Sequence, residues 1–145
     1  MLVEALQSYL AGNTSMRAML GTPATRSDTT TGIFPVMAPS EVPMPYLVME
    51  QVTGDGPADT LAGANAFQVN RWRFSCYGST YRQAKLLAKA AKSALNDMRG
   101  DQSGSAFVQS TMLALEADDS EPFARGRGTI FGSHIDFDFS FMDGE

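Results

Sequence analysis

The stretch from Trp72 to Ala84, WRFSCYGSTYRQA, constrains the fold more than any other part of this chain. Trp72, Phe74 and Cys76 alternate with Arg73, Ser75 and Tyr77, the period of a strand with one buried face. Gly78-Ser79 breaks the alternation. Thr80 followed by Gln83 then predicts a capping box, in which the hydroxyl accepts from an orphan helix amide and the glutamine reaches back. From Tyr81 to about Met98, residues Ala84, Leu87, Ala88, Ala91 and Leu95 form one apolar stripe. A strand therefore turns abruptly into a helix that has one face to bury.

The flanking segments repeat this economy. Leu2, Val3, Leu6, Tyr9 and Leu10 recur at helical spacing. Asn13 can cap a second short turn carrying Met16, Met19 and Leu20, closed by Gly21. Thr22–Thr31 is polar and reads as a loop. Ile33–Met37 is at best an edge strand, because Pro35 and Pro39 flank it. Pro39–Pro45 reads as extended. Tyr46–Val52 reads as a strand, Thr53–Ala66 as a long Gly/Pro/Asp/Ala loop, and Phe67–Tyr77 as the next strand. A change of apolar parity between Val69 and Trp72 predicts a bulge or twist near Asn70-Arg71. Arg99–Ser105 reads as a loop. Phe107–Leu115 reads as a strand and Glu116–Glu121 as an acidic turn. A last strand runs from about Gly126 to Met142, with Ile135, Phe137, Phe139 and Phe141 on one face and His134, Asp136, Asp138 and Ser140 on the other.

This layout predicts an α+β fold over residues 1–145 as one domain: a mostly antiparallel sheet of about five strands, two main helices packed on one face, and long loops. The 145 residues suffice for a core without staples. Cys76 is the only cysteine, which excludes an internal disulfide and a CxxC metal or redox site. The first ten residues carry Glu4 and lack a basic leader, a poor signal peptide. No run approaches the ~18 apolar residues of a membrane span. The net charge of −5 argues against a dedicated nucleic-acid binder.

The candidates for chemistry are few. His134, Asp136 and Asp138 lie on one strand face about 7 Å apart, too far for one ion to be held easily by all three. Cys76 shares parity with Trp72 and Phe74, which points it into the core as a small hydrophobe. Gly126-Arg127-Gly128 lacks the Gly-Lys-Ser/Thr of a phosphate loop. Arg99-Gly100-Asp101 reads as a helix end with Gly100 as the cap residue. These readings imply no catalytic residue, no metal and no cofactor. The basic stripe Arg82, Lys85, Lys89 and Lys92 is different: an excess of like charge on an acidic protein suits a contact with an acidic partner.

In combination, these segments resemble the tail-completion, or tail-terminator, proteins of long-tailed bacteriophages. The resemblance rests on Val3-Glu4-Ala5-Leu6 followed by a short helix near Met16–Leu20. Ile33-Phe34-Pro35 then leads to Val42-Pro43-Met44-Pro45-Tyr46-Leu47-Val48. The Trp72–Tyr81 joint opens the helix with Ala84, Leu87 and Ala88, and Asp136-Phe137-Asp138-Phe139-Ser140-Phe141 closes the chain.

The resemblance implies a non-enzymatic virion protein of the tail or neck, made in the host cytoplasm. It would form a hexameric ring that caps the finished tail tube, stops polymerisation and offers a joining surface to a neck or head-completion protein. The alternative is a head-completion or neck adaptor that binds a portal-type ring. A head-to-tail ring needs two different complementary patches per subunit. Arg82, Lys85, Lys89 and Lys92 against Glu116, Asp118 and Asp119 are one candidate pair. Asp136 and Asp138 are candidates for a channel wall. Six copies at −5 sum to about −30, which would favour DNA passage over adhesion, with no specific DNA binding and no membrane.

Overall fold

A computed structural model of the chain describes residues 2–21, 25–27, 30–38, 42–54, 58–60, 63–102, 106–122 and 129–143. The helices are α1 (Leu2–Gly12), α2 (Thr14–Leu20) and α3 (Tyr81–Asn96). The strands are β1 (Ile33–Pro35), β2 (Tyr46–Gly54), β3 (Ala58–Thr60), β4 (Gly63–Gly78), β5 (Gly100–Gln102), β6 (Ala106–Pro122) and β7 (Thr129–Asp143). They join in the order β1-β2-β4-β7-β6-β5, with β3 paired to β4 off that path. β1 runs parallel to β2, and the other pairs are antiparallel. The architecture is the expected α+β one.

The core lies between the helices and one face of the sheet. Phe74 faces Ile135, and Trp72 faces Phe137, across the β4–β7 ladder. These side chains and Phe139, Phe141, Leu47 and Met49 pack in one cluster with Leu6 and Leu10 of α1, Met16 of α2, and Leu87, Ala91 and Leu95 of α3. The aromatic alternation read from the sequence sets the core face, although Ser75 and Asp136, of the opposite parity, are buried as well. Side-chain bonds fix the layers. Tyr9 Oη donates to the Ala94 carbonyl at 2.7 Å, and Gln7 Nε2 to that of Ile33 at 3.1 Å. Thr111 Oγ1 donates to the Leu95 carbonyl at 2.9 Å.

The joint between β4 and α3 forms as expected, with one difference. The Gln83 amide donates to Thr80 Oγ1 at 3.1 Å, the cap itself. The Gln83 side chain, however, accepts from the Ser79 amide at 2.8 Å and the Ser79 hydroxyl at 3.0 Å, one residue earlier than a capping box requires. Gly78 permits this closure. A Cβ there would sit 2.8 Å from the Ala84 amide nitrogen and 3.0 Å from Gln83 Cβ. Asn13 caps α2 through the Met16 amide at 3.1 Å, and Gly21 ends it at φ +83°.

Other segments depart from the sequence reading. Glu116–Glu121 is not a turn but the continuation of β6, in register with β7 from Glu116 opposite Ile135 to Glu121 opposite Ile130. Part of the loop assigned to Thr53–Ala66 is strand: β3 pairs back on the start of β4. The irregularity expected near Asn70-Arg71 lies in the neighbouring strand, between Gln51 and Thr53 opposite Trp72 and Arg71. β4 keeps its own alternation by burying Asn70 and exposing Val69. Helix α3 ends at Asn96 with Asp97 as its cap, and Gly100 begins β5 instead of capping the helix. Gly126-Arg127-Gly128 and parts of Thr22–Thr31 lie outside the described residues.

Candidate assembly surfaces

The sheet face away from the core carries two cross-strand ion pairs. Arg71 opposes Asp138 and Arg73 opposes Asp136 in the β4–β7 register. Each arginine grips its carboxylate with two nitrogens, at 2.8 and 3.2 Å for Arg71 and at 2.9 and 3.2 Å for Arg73. This is the fork geometry that makes arginine–carboxylate bonds strong. Asp136 is only 2% exposed. The hydrogen bond to Asp138 pushes the Arg71 pKa up, and that to Asp136 does the same for Arg73. Asp136 and Asp138, the candidates for a channel wall, are each matched by a cation on the next strand. His134, third in that row, has Nδ1 2.7 Å from Ser75 Oγ. The row that resembled a ligand set is thus three separate cross-strand contacts to β4.

The basic stripe and the acidic segment meet within one chain. Lys85 Nζ lies 3.4 Å from Glu116 and 3.2 Å from Asp118, and Lys92 Nζ lies 3.2 Å from Glu116. Tyr81 Oη and Ser133 Oγ add hydrogen bonds to Asp118, at 2.9 and 2.8 Å. Lys92, with help from Lys85, holds the Glu116 carboxyl below its ordinary range despite partial burial. Burial pushes the Asp118 carboxyl up, but the bonds from Ser133, Tyr81 and Lys85 outweigh it and leave the group below its ordinary range. Arg82 and Lys89 are exposed and form no ion pair among the described residues. The side chain of Asp119 lies outside the described ones.

Cys76 is fully buried, and burial pushes its thiol pKa well up, away from the reactive thiolate. Among the described residues no group of three or more His, Cys, Asp or Glu is placed to hold a metal ion. No described helix is long and apolar enough to cross a membrane.

Among the described residues, both sides of the sheet carry unpartnered surface. β5 covers β6 only from Ala106 to Val108, so the outer edge of β6 from Ser110 onward has no ladder partner among the described residues. Met112, Leu113 and Leu115 stand exposed along it, Met112 at 69%. At the other side, β1 covers β2 only from Leu47 to Met49. Val36 and Met37, just past β1, are 70% and 77% exposed. Val36 has φ +68°, and the Met37 amide donates back to the Pro35 carbonyl at 2.8 Å, a γ-turn that a β-branched residue rarely accepts. Beside this turn is a groove of about 600 Å³, lined by Val3, Glu4, Gln7, Pro35, Val36, Glu50, Gln51 and Trp72. Trp72 Nε1 is buried and has no acceptor among the described residues.

No protein-family model matches the chain, and no curated protein matches it. A solved structure does. The fold is similar to that of a chain in the virion of a native gene transfer agent (GTA) particle. The likeness covers 97% of this chain and 93% of that one, with a TM-score of 0.67 at 15% identity.

Two features here escaped the sequence. Arg71 and Arg73 flank Trp72 and share parity with Ser75 and Tyr77, but their partners become visible only once β4 and β7 are in register. The exposed apolar row on β6 reads as an ordinary strand core until the sheet order makes it an edge.

Proposed function

We propose that this chain is a structural protein of a phage-like virion, acting as a ring that caps a completed tail tube. What carries the reading is the whole-length fold likeness to a chain of a GTA virion, together with the tail-terminator resemblance of the sequence. In this reading six copies form the ring. It covers the growing end of the tube protein and offers its far side to a neck or head-completion protein. The sheet face with Asp136 and Asp138 turns toward the channel, where the Arg71 and Arg73 pairs leave it close to neutral. DNA then passes a wall that neither grips nor strongly repels it. Arg82 and Lys89, not engaged in ion pairs within the described chain, are the cations open to a neighbour or to the next ring. Chemistry is not required of any residue, and the mechanism is occlusion of a polymerising end.

The experiment is assembly of tails without this protein. Overlong tubes support the cap. Normal free tails that fail to join heads favour the alternative, an adaptor on a portal-type ring. Tails of normal length that join heads efficiently would overturn both.

A further inference from the structure

We infer that the open edge of β6 in one copy docks into the groove at the β1–β2 side of a second copy. This rests on the ring reading and names the contact that would close the ring. Four observations carry it. The two surfaces lie at opposite sides of the sheet, so a contact between them repeats in one sense around an axis, as a head-to-tail ring demands. Both carry exposed apolar side chains: Met112, Leu113 and Leu115 on one, and on the other Val36, which lines the groove, with Met37 and Val52 next to lining residues in sequence. The β6 edge from Ser110 presents strand carbonyls and amides that no described strand satisfies, and such an edge is a template for pairing. By register, Met112 and Leu115 lie on the Asp138 and Asp136 side and Leu113 on the Phe137 side, so the edge offers apolar contact to both faces of a neighbouring sheet.

The test uses two single variants of the full chain, Met37→Cys and Met112→Cys. Cys76 is buried and leaves no background reaction. The expected result is a covalent dimer, formed with a short bismaleimide, in the equimolar mixture and at least tenfold less in either variant alone. Equal cross-linking in a single-variant sample, or none in the mixture, overturns the inference. Leu113→Lys with Leu115→Lys gives an independent reading, since both positions are exposed and the fold should survive. This variant should lose association by at least tenfold in native mass spectrometry with an unchanged circular dichroism spectrum. A closed ring from the wild type that this variant also forms would overturn the contact and leave the ring standing. A wild type that stays monomeric and uncross-linked at every concentration would overturn self-docking, and the tail-length experiment would then judge the cap separately.

Discussion

Arg73 and Asp136 divide their burial unequally, and the division decides what each does when the other is removed. Asp136 has almost no water around it, while over a third of the Arg73 side chain is exposed. Arg73→Met therefore strands a buried carboxylate, which typically costs about 3–5 kcal/mol. Asp136→Asn leaves a cation that can rehydrate, and should cost clearly less in urea denaturation at pH 7. An Asp136→Asn deficit as large as that of Arg73→Met would refute this account. Gly78 offers a second test. An alanine there presses its methyl on the Ala84 backbone, which cannot yield as a side chain would. A loss of about 1–3 kcal/mol is expected for such overpacking.

At the scale of elements, the joint between β4 and α3 is where local chemistry alone sets the structure. Thr80→Ala should cost about 1 kcal/mol, the usual worth of a cap, read from the thermal midpoint. The β6–α3 contact depends instead on charge. Glu116 and Asp118 are held below their ordinary pKa values in the fold, so the unfolded chain binds more protons there as pH falls. Their stabilisation is present above about pH 4.5, the higher ordinary value, and is lost as pH falls through the lowered folded values. Being partly exposed, the pairs should contribute no more than about 1 kcal/mol, and 1 M salt should shrink that further. The helices and long strands were legible because each has a greasy face at its own period: the alternating aromatics of Phe137, Phe139 and Phe141 admit no other reading. The second half of β6 was not, since Glu116, Asp118 and Asp119 look like a turn until α3 lysines stand over two of them. The start of β4 was hidden for another reason. Gly63, Ala64 and Ala66 carry too little side chain to show a period. Candidate charges were legible as residue types, but whether they meet inside one chain is a property of the fold.

For the whole molecule, the two contacts proposed between copies differ in physical kind. A ring held by Arg82 and Lys89 should fall apart as salt rises, since charges are screened beyond about 3 Å at 1 M. A ring held by the β6 edge and the groove should persist or tighten, because burial of apolar surface does not weaken with ionic strength. Sedimentation at low and high salt separates them. The sheet order has a further consequence, one of size. Where the edge of β6 is open, the path β1-β2-β4-β7-β6 lays five strands side by side, about 24 Å at a spacing of about 4.8 Å. If the proposed ring has six copies joined side by side with strands along the axis, the wall is about 140 Å round and about 46 Å across at the 4.8 Å spacing. The bore of the proposed ring would then follow from how many strands each subunit lays side by side, with no residue acting as a ruler.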